Sequence, residues 1–503
     1  MKRRELLLGA GVASAALVGC QQKGKRGDEG PLREALRSVR DPRPLVPASP
    51  RPPMRPIGDT SHGLMLNRAA FGPSAAELQR FDELGKDGWL AEQLKAPVHD
   101  DDESLALRWR LKGLEVFHTP AYELRDTPQK VVMEQLGRSA ILRATYSKWQ
   151  LRERLCDFWA NHLNIYARKV YSAPTRPNTA AELMYLLPTD LTHVVRQNAL
   201  GSVKDVIRAS MKSAAMLGYL DQQVSDAKHP NENYARELLE LHTMGVDGGY
   251  SQRDVMEVAR CLTGWTIEDR FLSGLSLSGL FQDGLPDHKT GEVYFNDKRH
   301  DDGEKVVFGT KIPAGGGKKD ASTVLDLIAA HPSTARFISR KLVRYFYGDD
   351  EHSAGLTEKV AATYQKSGGA ITAMVHTLFT ASEFDAAPPI LKRPFDFTIS
   401  ALRATNALTD GSLGVQDHLT RMGQPLYEWP MPDGYPEKNQ AWTGSLLARW
   451  NFAIALTSGA VAATQIDTDK DAAGALLSPL PEFSGKPEER LALALASPDF
   501  QWK

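Results

Sequence analysis

The segment from Asn231 to Ile267 constrains the fold most, because it holds two helices whose ends are marked by the sequence itself. Pro230 predicts the start of the first helix, and Gly245 predicts its end. Ser251 and Asp254 have the spacing of a capping box, which predicts where the second helix begins. We therefore expect a helical hairpin here, with the rest of the domain organised around it.

The polar face of the first helix carries the candidate chemistry. At 100° per residue, the side chains that share one arc of about 120° are Asn233, Arg236, Glu237, Glu240 and Thr243. His242 falls on the opposite, apolar side, which predicts a core histidine. Two carboxylates one helical turn apart can divide acid and base roles if burial separates their pKa values. Glu237 and Glu240 are therefore the candidate catalytic pair, with Asn233 and Arg236 as candidate substrate-binding residues.

Composition sets the broad class. The chain has 503 residues, of which 42% are hydrophobic and 24% are charged, which is typical of a globular protein. The formal net charge is -1, so no overall field attracts nucleic acid. We expect no nucleic-acid partner.

The first 20 residues have the pattern of an export signal, in which basic residues precede a short apolar run. Adjacent Arg3 and Arg4 are typical of twin-arginine export. Leu17 to Cys20 resembles a lipobox, in which Cys20 becomes the diacylated N-terminus after cleavage. A plain secretory signal and an uncleaved anchor are the alternatives.

The residue after the cysteine, Gln21, favours the outer membrane by its resemblance to known sorting patterns. We therefore expect a protein that is lipid-anchored at the periplasmic face of the cell envelope, with the membrane as a partner. The proline-rich segment 21–59 predicts a tether. Residues 60–503 predict a single folded domain.

Apolar residues three or four positions apart recur through this domain and predict a mainly α-helical, multi-helical fold. One small β-hairpin at 292–308 is predicted from the segments Glu292–Phe295 and Lys305–Phe308. His300 and Asp301 would lie at its tip. They are candidates for a metal site or an acid–base pair, and a solvated turn is the alternative.

Two cysteines fall within the predicted helices. Cys156 and Cys261 are far apart in the chain and belong to no CxxC pair. One disulfide is arithmetically possible, but two buried free thiols are the prediction, because isolated cysteines behave as small apolar residues.

A cluster of aromatic and amide side chains marks the predicted helix 151–165. His162 is a candidate general base or metal ligand, and Asn161 is a candidate substrate-binding residue. The alternative for His162 is a core histidine one turn from Phe158. Farther along, Glu428–Pro436 (EWPMPDGYP) predicts a rigid aromatic loop that could line a cleft.

A basic stripe is predicted on the helix that His331-Pro332 opens. Arg336, Arg340 and Arg344 recur every four residues, and guanidinium groups in one line bind carboxylate or phosphate. Arg336 and Arg340 are therefore candidate substrate-binding residues. The alternative is that they pair with Glu237 and Glu240 in a structural ionic seam.

The motifs together resemble those of the DUF1800 family over Thr60 to Phe452. The matching segments are LNRAAFGP (66–73), DFWANH (157–162), NENYARELLEL (231–241), YSQRDV (250–255), TGW (263–265), HP (331–332) and RF (336–337). The resemblance implies a bacterial, commonly exported protein, and a partner of the DUF1501 family encoded beside it. Ala160 departs from the family, in which a second histidine often stands there, and this weakens a two-histidine metal site.

The sequence leaves two classes of function open. No nucleophile elbow, HExxH, EF-hand loop or dinucleotide fingerprint is present. Glu237, Glu240 and His162 favour a hydrolase that acts on an envelope or extracellular polymer, and the same donors could hold a divalent metal as cofactor. The alternative is a non-catalytic assembly or binding partner of another exported protein, for example of the DUF1501 family.

Overall fold

Helices make up most of the described chain, as the spacing of apolar residues predicts. The structure is a computed structural model, which describes residues 61–100, 103–172, 180–268, 292–466 and 486–503. The predicted signal segment, Cys20 and the tether 21–59 lie outside the described residues. The mainly α-helical, multi-helical fold is confirmed.

The secondary structure follows in chain order. The α-helices are α1 Ser61–Ala69, α2 Ala75–Gln93, α3 Leu105–Lys112, α4 Ala121–Leu124, α5 Gln129–Tyr146, α6 Gln150–His162, α7 Leu187–Asp190, α8 Val203–Ser210, α9 Ala214–Tyr219, α10 Glu232–Glu237, α11 Gln252–Leu262, α12 Lys319–Ala330, α13 Pro332–Phe346, α14 Ser353–Ser367, α15 Ile371–Thr380, α16 Pro394–Ala404, α17 Leu413–Arg421, α18 Leu446–Thr457, α19 Pro487–Ala496 and α20 Pro498–Gln501. The strands are β1 Val170–Ser172, β2 Ala180–Glu182, β3 Trp265–Ile267, β4 Val293–Phe295, β5 Lys305–Val307, β6 Thr310–Ile312, β7 Leu408–Thr409 and β8 Thr464–Gln465. π-Helical turns span Leu191–Arg196 and Leu238–Thr243.

The predicted hairpin at 292–308 is wrong. Strand β4 pairs antiparallel with β3, and β5 pairs with β6. Phe308 and Gly309 both have positive φ, 48° and 74°, and form the two-residue turn whose twist suits a tight hairpin. Because this turn directly follows β5, the hydrogen bonds of β5 go to β6, and β4 pairs with β3 instead.

The helices pack around one large apolar core and a second, smaller one. The large core includes α6, α11 and α13, and the smaller one is built on α16 with α5, α17, α18 and α19. Cys156 and Cys261 are both buried and free, as predicted. The described residues belong to one compact unit, and within them no helix is both long and apolar enough to span a membrane.

The central hairpin forms with the predicted boundaries. Gly245 ends the first helical segment in a left-handed conformation, with φ 84°. Ser251 caps α11, and its side chain and that of Asp254 complete the capping box. These local signals place α10 and α11 side by side.

The π-helical turn at Leu238–Thr243 changes the predicted helical face. The hydroxyl of Thr243 donates to the carbonyl oxygen of Leu238 at 2.5 Å. A π turn bonds residues five apart, so later side chains rotate relative to a regular α-helix. Thr243, which was predicted on the polar arc, is fully buried, whereas His242 is buried as predicted.

Candidate functional site

Glu237 and Glu240 lie half-buried where α10 passes into the π-helical turn. The side chain of Asn231 caps α10 by accepting from the backbone N–H groups of Asn233 and Tyr234. Asn233 is exposed on the same helix. Among the described residues, neither glutamate forms an ion pair, so both carboxylates are available to a ligand.

The Glu237 carboxyl has a perturbed pKa. Partial burial raises it most, and the negative charges of Glu240 and Asp433 raise it further, while Arg236 opposes the shift. Arg236 itself donates to Gln252 at 2.8 Å and lies 3.7 Å from Glu232. The site therefore holds a carboxyl that retains its proton to a higher pH than an ordinary glutamate.

Asp433 is the site residue that the sequence analysis missed. It belongs to the aromatic loop Glu428–Pro436, and its carboxylate accepts from the indole N–H of Trp429 at 3.0 Å. The only sequence signal was the loop itself, which was predicted to line a cleft. Nothing in the local sequence indicates that the loop approaches Glu237 from almost 200 positions away.

Two side chains fix the first half of this loop. The Asn164 amide donates to the carbonyl oxygens of Trp429 and Met431, at 3.0 and 2.7 Å. The Tyr219 hydroxyl donates to the carbonyl oxygen of Pro430 at 2.8 Å. Three consecutive carbonyls are thus held, which keeps Asp433 and its neighbours in one place.

Asn161 fixes the second half. Its amide nitrogen donates to the carbonyl oxygen of Tyr435 at 3.1 Å, and its side-chain oxygen accepts from the Tyr435 backbone N–H at 2.8 Å. These two hydrogen bonds hold the loop against α6. The assignment of Asn161 to substrate binding stays a prediction. Asn161 and Asn164 also line a cavity of about 100 Å³ beneath the loop.

Gly434 is required where the loop meets α6. It has φ 76°, and a Cβ atom there would overlap the carbonyl oxygen of Asn161. We expect Gly434→Ala to lower the free energy of unfolding by about 3 kcal/mol or more, since left-handed strain of about 1–2 kcal/mol adds to the overlap. Urea unfolding measures this change.

Gly423→Ala is the matched control. Gly423 also has positive φ, 89°, but a Cβ atom there has open space within 4 Å. It should show the conformational strain alone. Equal losses in the two variants would contradict the close approach of the loop to Asn161.

His162 is buried in the core, whereas Glu237 and Glu240 are half-buried. Its ring stacks on Phe158, with centroids 5.7 Å apart, and its Nε2 donates to the carbonyl oxygen of His242 at 3.0 Å. Burial lowers the pKa of His162 well below the usual range, and Lys341 and His242 add to this shift. The ring is therefore neutral with its proton on Nε2, which is the core-histidine alternative. Its catalytic assignment stays a prediction.

Arg336 and Arg340 line a different surface, which we call the arginine cleft. This cleft of about 480 Å³ lies between α13 and α14, and its charged lining residues are Arg336, Arg340, Arg344, Asp247, Asp349 and Glu358. Arg336 lies 3.6 Å from Glu358, and Arg340 lies over the Phe337 ring at 5.5 Å. In the described ranges neither arginine pairs with Glu237 or Glu240, so the predicted ionic seam is wrong.

His300 and Asp301 are not at an exposed hairpin tip. His300 is buried, with Nδ1 2.8 Å from the carbonyl oxygen of Thr263 and Nε2 3.3 Å from an Asp320 oxygen. Lys305 also donates to Asp320, at 2.7 Å. The solvated turn is therefore wrong for His300, whose ring nitrogens contact Thr263 at the C-terminal end of α11 and Asp320 on α12.

Asp301 is held by a bidentate pair with Arg260, whose Nε lies 2.7 Å from one carboxylate oxygen. The Arg260 hydrogen bond lowers the pKa of Asp301. In the part of the chain that the structure describes, no three His, Cys, Asp or Glu side chains are grouped to hold a metal ion. Both ends of the His300-Asp301 pair thus have structural partners, and a metal site there stays a prediction.

Comparison with known proteins identifies the family. A family model described as "Protein of unknown function (DUF1800)" matches residues 64–502, which includes both helices of the central hairpin and the aromatic loop. No curated protein and no solved structure matches the chain. Because the matched range spans most of the sequence, the chain belongs to the DUF1800 family.

Proposed function

We propose that this protein is a lipid-anchored hydrolase of the cell envelope that cleaves glycosidic bonds in an anionic polymer. The observation that carries the proposal is the raised pKa of Glu237 beside two further carboxylates, Glu240 and Asp433. A carboxyl that keeps its proton above the range of an ordinary glutamate can donate that proton to a leaving oxygen. The location follows from the signal and the lipobox cysteine, Cys20.

Glu237 would protonate the glycosidic oxygen as the general acid. Glu240, one turn along the same helix, would act from the carboxylate form, either on water or on the anomeric carbon. Asp433 is exposed and would serve as a positioning residue, because its negative charge helps to keep the Glu237 proton in place. The two acid–base roles then come from one helix that a packed hairpin holds rigid.

The surroundings suit a sugar polymer. Trp429 is half-buried at the edge of the site, where its ring offers an apolar face to a sugar. Tyr250 lies between the two surfaces: burial raises the pKa of its hydroxyl most, Glu240, Glu237 and Asp247 raise it further, and Arg236 opposes them. Asp247 in turn lines the arginine cleft. A polymer bound across both surfaces would present its acidic groups to Arg336 and Arg340.

The pH dependence of hydrolysis tests this proposal. We expect the purified chain from Gln21 onward to release reducing ends from an acidic envelope polysaccharide. The rate should fall as the pH rises through the raised pKa of Glu237, since the acid must be protonated to act. This alkaline limb should lie above the range of an ordinary glutamate.

A neutral polysaccharide of similar length is the control, and it should be a poorer substrate because it offers nothing to the arginine cleft. A rate that does not decline on the alkaline side would remove Glu237 as the acid. An absence of release from both polysaccharides would favour the non-catalytic alternative, a binding partner of an exported protein such as a DUF1501 protein.

A further inference from the structure

The outer face of α18 is mostly apolar, with Asn451 as an exposed polar residue among its apolar side chains. Leu447, Trp450 and Ile454 are 68%, 46% and 57% exposed, and their spacing of three and four residues places them along one line of the helix. Leu446 on the same helix and Leu493 on the adjacent α19 are also exposed. These five side chains form one surface, which we call the leucine–tryptophan face.

The opposite side of α18 is buried in the domain. Phe452, Ala453 and Leu456 are buried in the smaller apolar core, and Arg449 is buried as well, with its guanidinium bonded to the Lys392 carbonyl oxygen at 2.7 Å. The exposed side of the helix therefore carries no charged residue. A surface helix ordinarily places its charged residues there, so a face of this kind marks a contact with an apolar surface.

A membrane surface fits the face better than a second protein does. A stable protein interface involves about 20–30 residues from each side, whereas this face has five. Leucine and isoleucine beside tryptophan are typical of a helix that lies at the boundary between head groups and acyl chains. The Trp450 indole N–H already donates to the carbonyl oxygen of Ala496 at 3.2 Å, so its polar atom is satisfied without water.

The length of the chain between the proposed lipid anchor and the described domain bears on how the domain is attached to the membrane. Forty residues, 21–60, separate Cys20 from Ser61. A lipid on Cys20 would attach the chain to the membrane without deciding which face of the domain meets the bilayer. Stable attachment to a membrane commonly takes two signals, and the leucine–tryptophan face can supply the second.

We infer that the leucine–tryptophan face of α18 and α19 docks on the bilayer in which the Cys20 lipid is anchored. This inference rests on the proposed envelope location and is independent of the proposed hydrolysis. The face inserts its aliphatic side chains to the depth of the acyl boundary and orients the domain on the membrane. Because no charge lies on the exposed side of α18, the contact does not require anionic lipids.

A fluorescence experiment tests the docking in the absence of the lipid anchor. The chain from Gln21 onward carries Ile454→Cys labelled with a polarity-sensitive dye, and neutral phosphatidylcholine vesicles are added. Cys156 and Cys261 are buried, so the new thiol takes the label. The control carries Met256→Cys on α11, where the natural side chain is also exposed.

We expect the emission to shift to the blue at position 454 and not at position 256, and to persist in high salt. Leu447→Gln combined with Ile454→Gln should reduce partitioning into vesicles about tenfold or more with an unchanged melting temperature, because both side chains are exposed. No shift at position 454, binding only to anionic vesicles at low salt, or a shift that grows with protein concentration without vesicles would overturn the inference. The last outcome would identify a second copy of the chain as the occupant.

Discussion

Replacing Asp396 with asparagine is expected to lower the free energy of unfolding by about 3–5 kcal/mol, because it leaves the buried Arg154 and Lys503 side chains without a carboxylate partner. The Asp396 carboxylate accepts from Arg154 and from Lys503, the latter at 2.9 Å, and lies 3.3 Å from Arg393. All four side chains are buried. Within the described residues, two nitrogens of the Arg154 guanidinium already lack a hydrogen-bond partner, so its charge depends strongly on Asp396.

The pKa of Asp396 supports the same conclusion. Burial alone would raise this pKa, but Arg154, Lys503 and Arg393 outweigh burial and hold the pKa well below the usual range. A lowered folded-state pKa contributes stability above the unfolded value, and that contribution is lost as the pH falls through the folded value. At neutral pH the full contribution is present, so unfolding in urea at pH 7 is the appropriate measurement.

Asp385→Asn is the matched control, since its exposed carboxylate pairs with Lys86 at 2.8 Å and the change should be within about 0.5 kcal/mol. If Asp396→Asn cannot be recovered folded, Lys503→Met, which removes one cation and keeps the other two contacts, gives a milder destabilisation. Equal stability of Asp396→Asn and Asp385→Asn would show that the buried cluster does not stabilise the fold.

Glu237→Gln should reduce the rate of polymer hydrolysis by about 10²–10⁴-fold, which is the range that a positioned general acid contributes. Glutamine has nearly the same shape but cannot transfer a proton to the leaving oxygen. Stability should not fall with activity. Because the pKa of Glu237 is raised, the protonated carboxyl favours the folded state and the ionised carboxylate disfavours it. The stability that the protonated form contributes is lost as the pH rises through the folded pKa. Glutamine is neutral at every pH and therefore carries no such penalty.

Glu232→Gln is the control for the same helix. Glu232 accepts from Gln252 at 2.7 Å and lies 3.7 Å from Arg236, so its loss changes a surface contact and no proposed proton transfer. Reaction rates and melting temperatures of both variants are compared with those of the natural chain. Similar rates for Glu237→Gln and Glu232→Gln would remove the catalytic assignment, whereas a lost rate with an unchanged melting temperature would support it.

Local signals in the sequence were sufficient for much of the helical framework. The capping box at Ser251 and the glycine stop at Gly245 were predicted because each acts through hydrogen bonds within one turn. The burial of His242 followed from helical phase. The burial of Cys156 and Cys261 was predicted because isolated cysteines behave as small apolar residues. None of these predictions needed a distant partner.

The predictions that were wrong concern the burial of Thr243, the pairing of the strands and the ion pairs of α13, none of which is decided by the spacing of apolar residues. Thr243 left the polar face because the hairpin contains a π-helical turn, which apolar spacing does not encode. Strand β4 paired with β3 because a tight turn after Val307 gave β5 a nearer partner. On α13, Arg336 pairs with Glu358 and Arg344 pairs with Asp349 and Glu437, and neither pairs with Glu237 or Glu240 in the described residues.

The sequence alone determined the family, the helical class and the carboxylate pair at Glu237 and Glu240, because those features depend on residue types and short spacings. Only the tertiary structure brought the aromatic loop to that pair. Asn161 and Tyr435 are 274 positions apart, and the packing of many helices decides that they meet. The local environment of Glu237, which includes Asp433, is therefore a property of the folded chain.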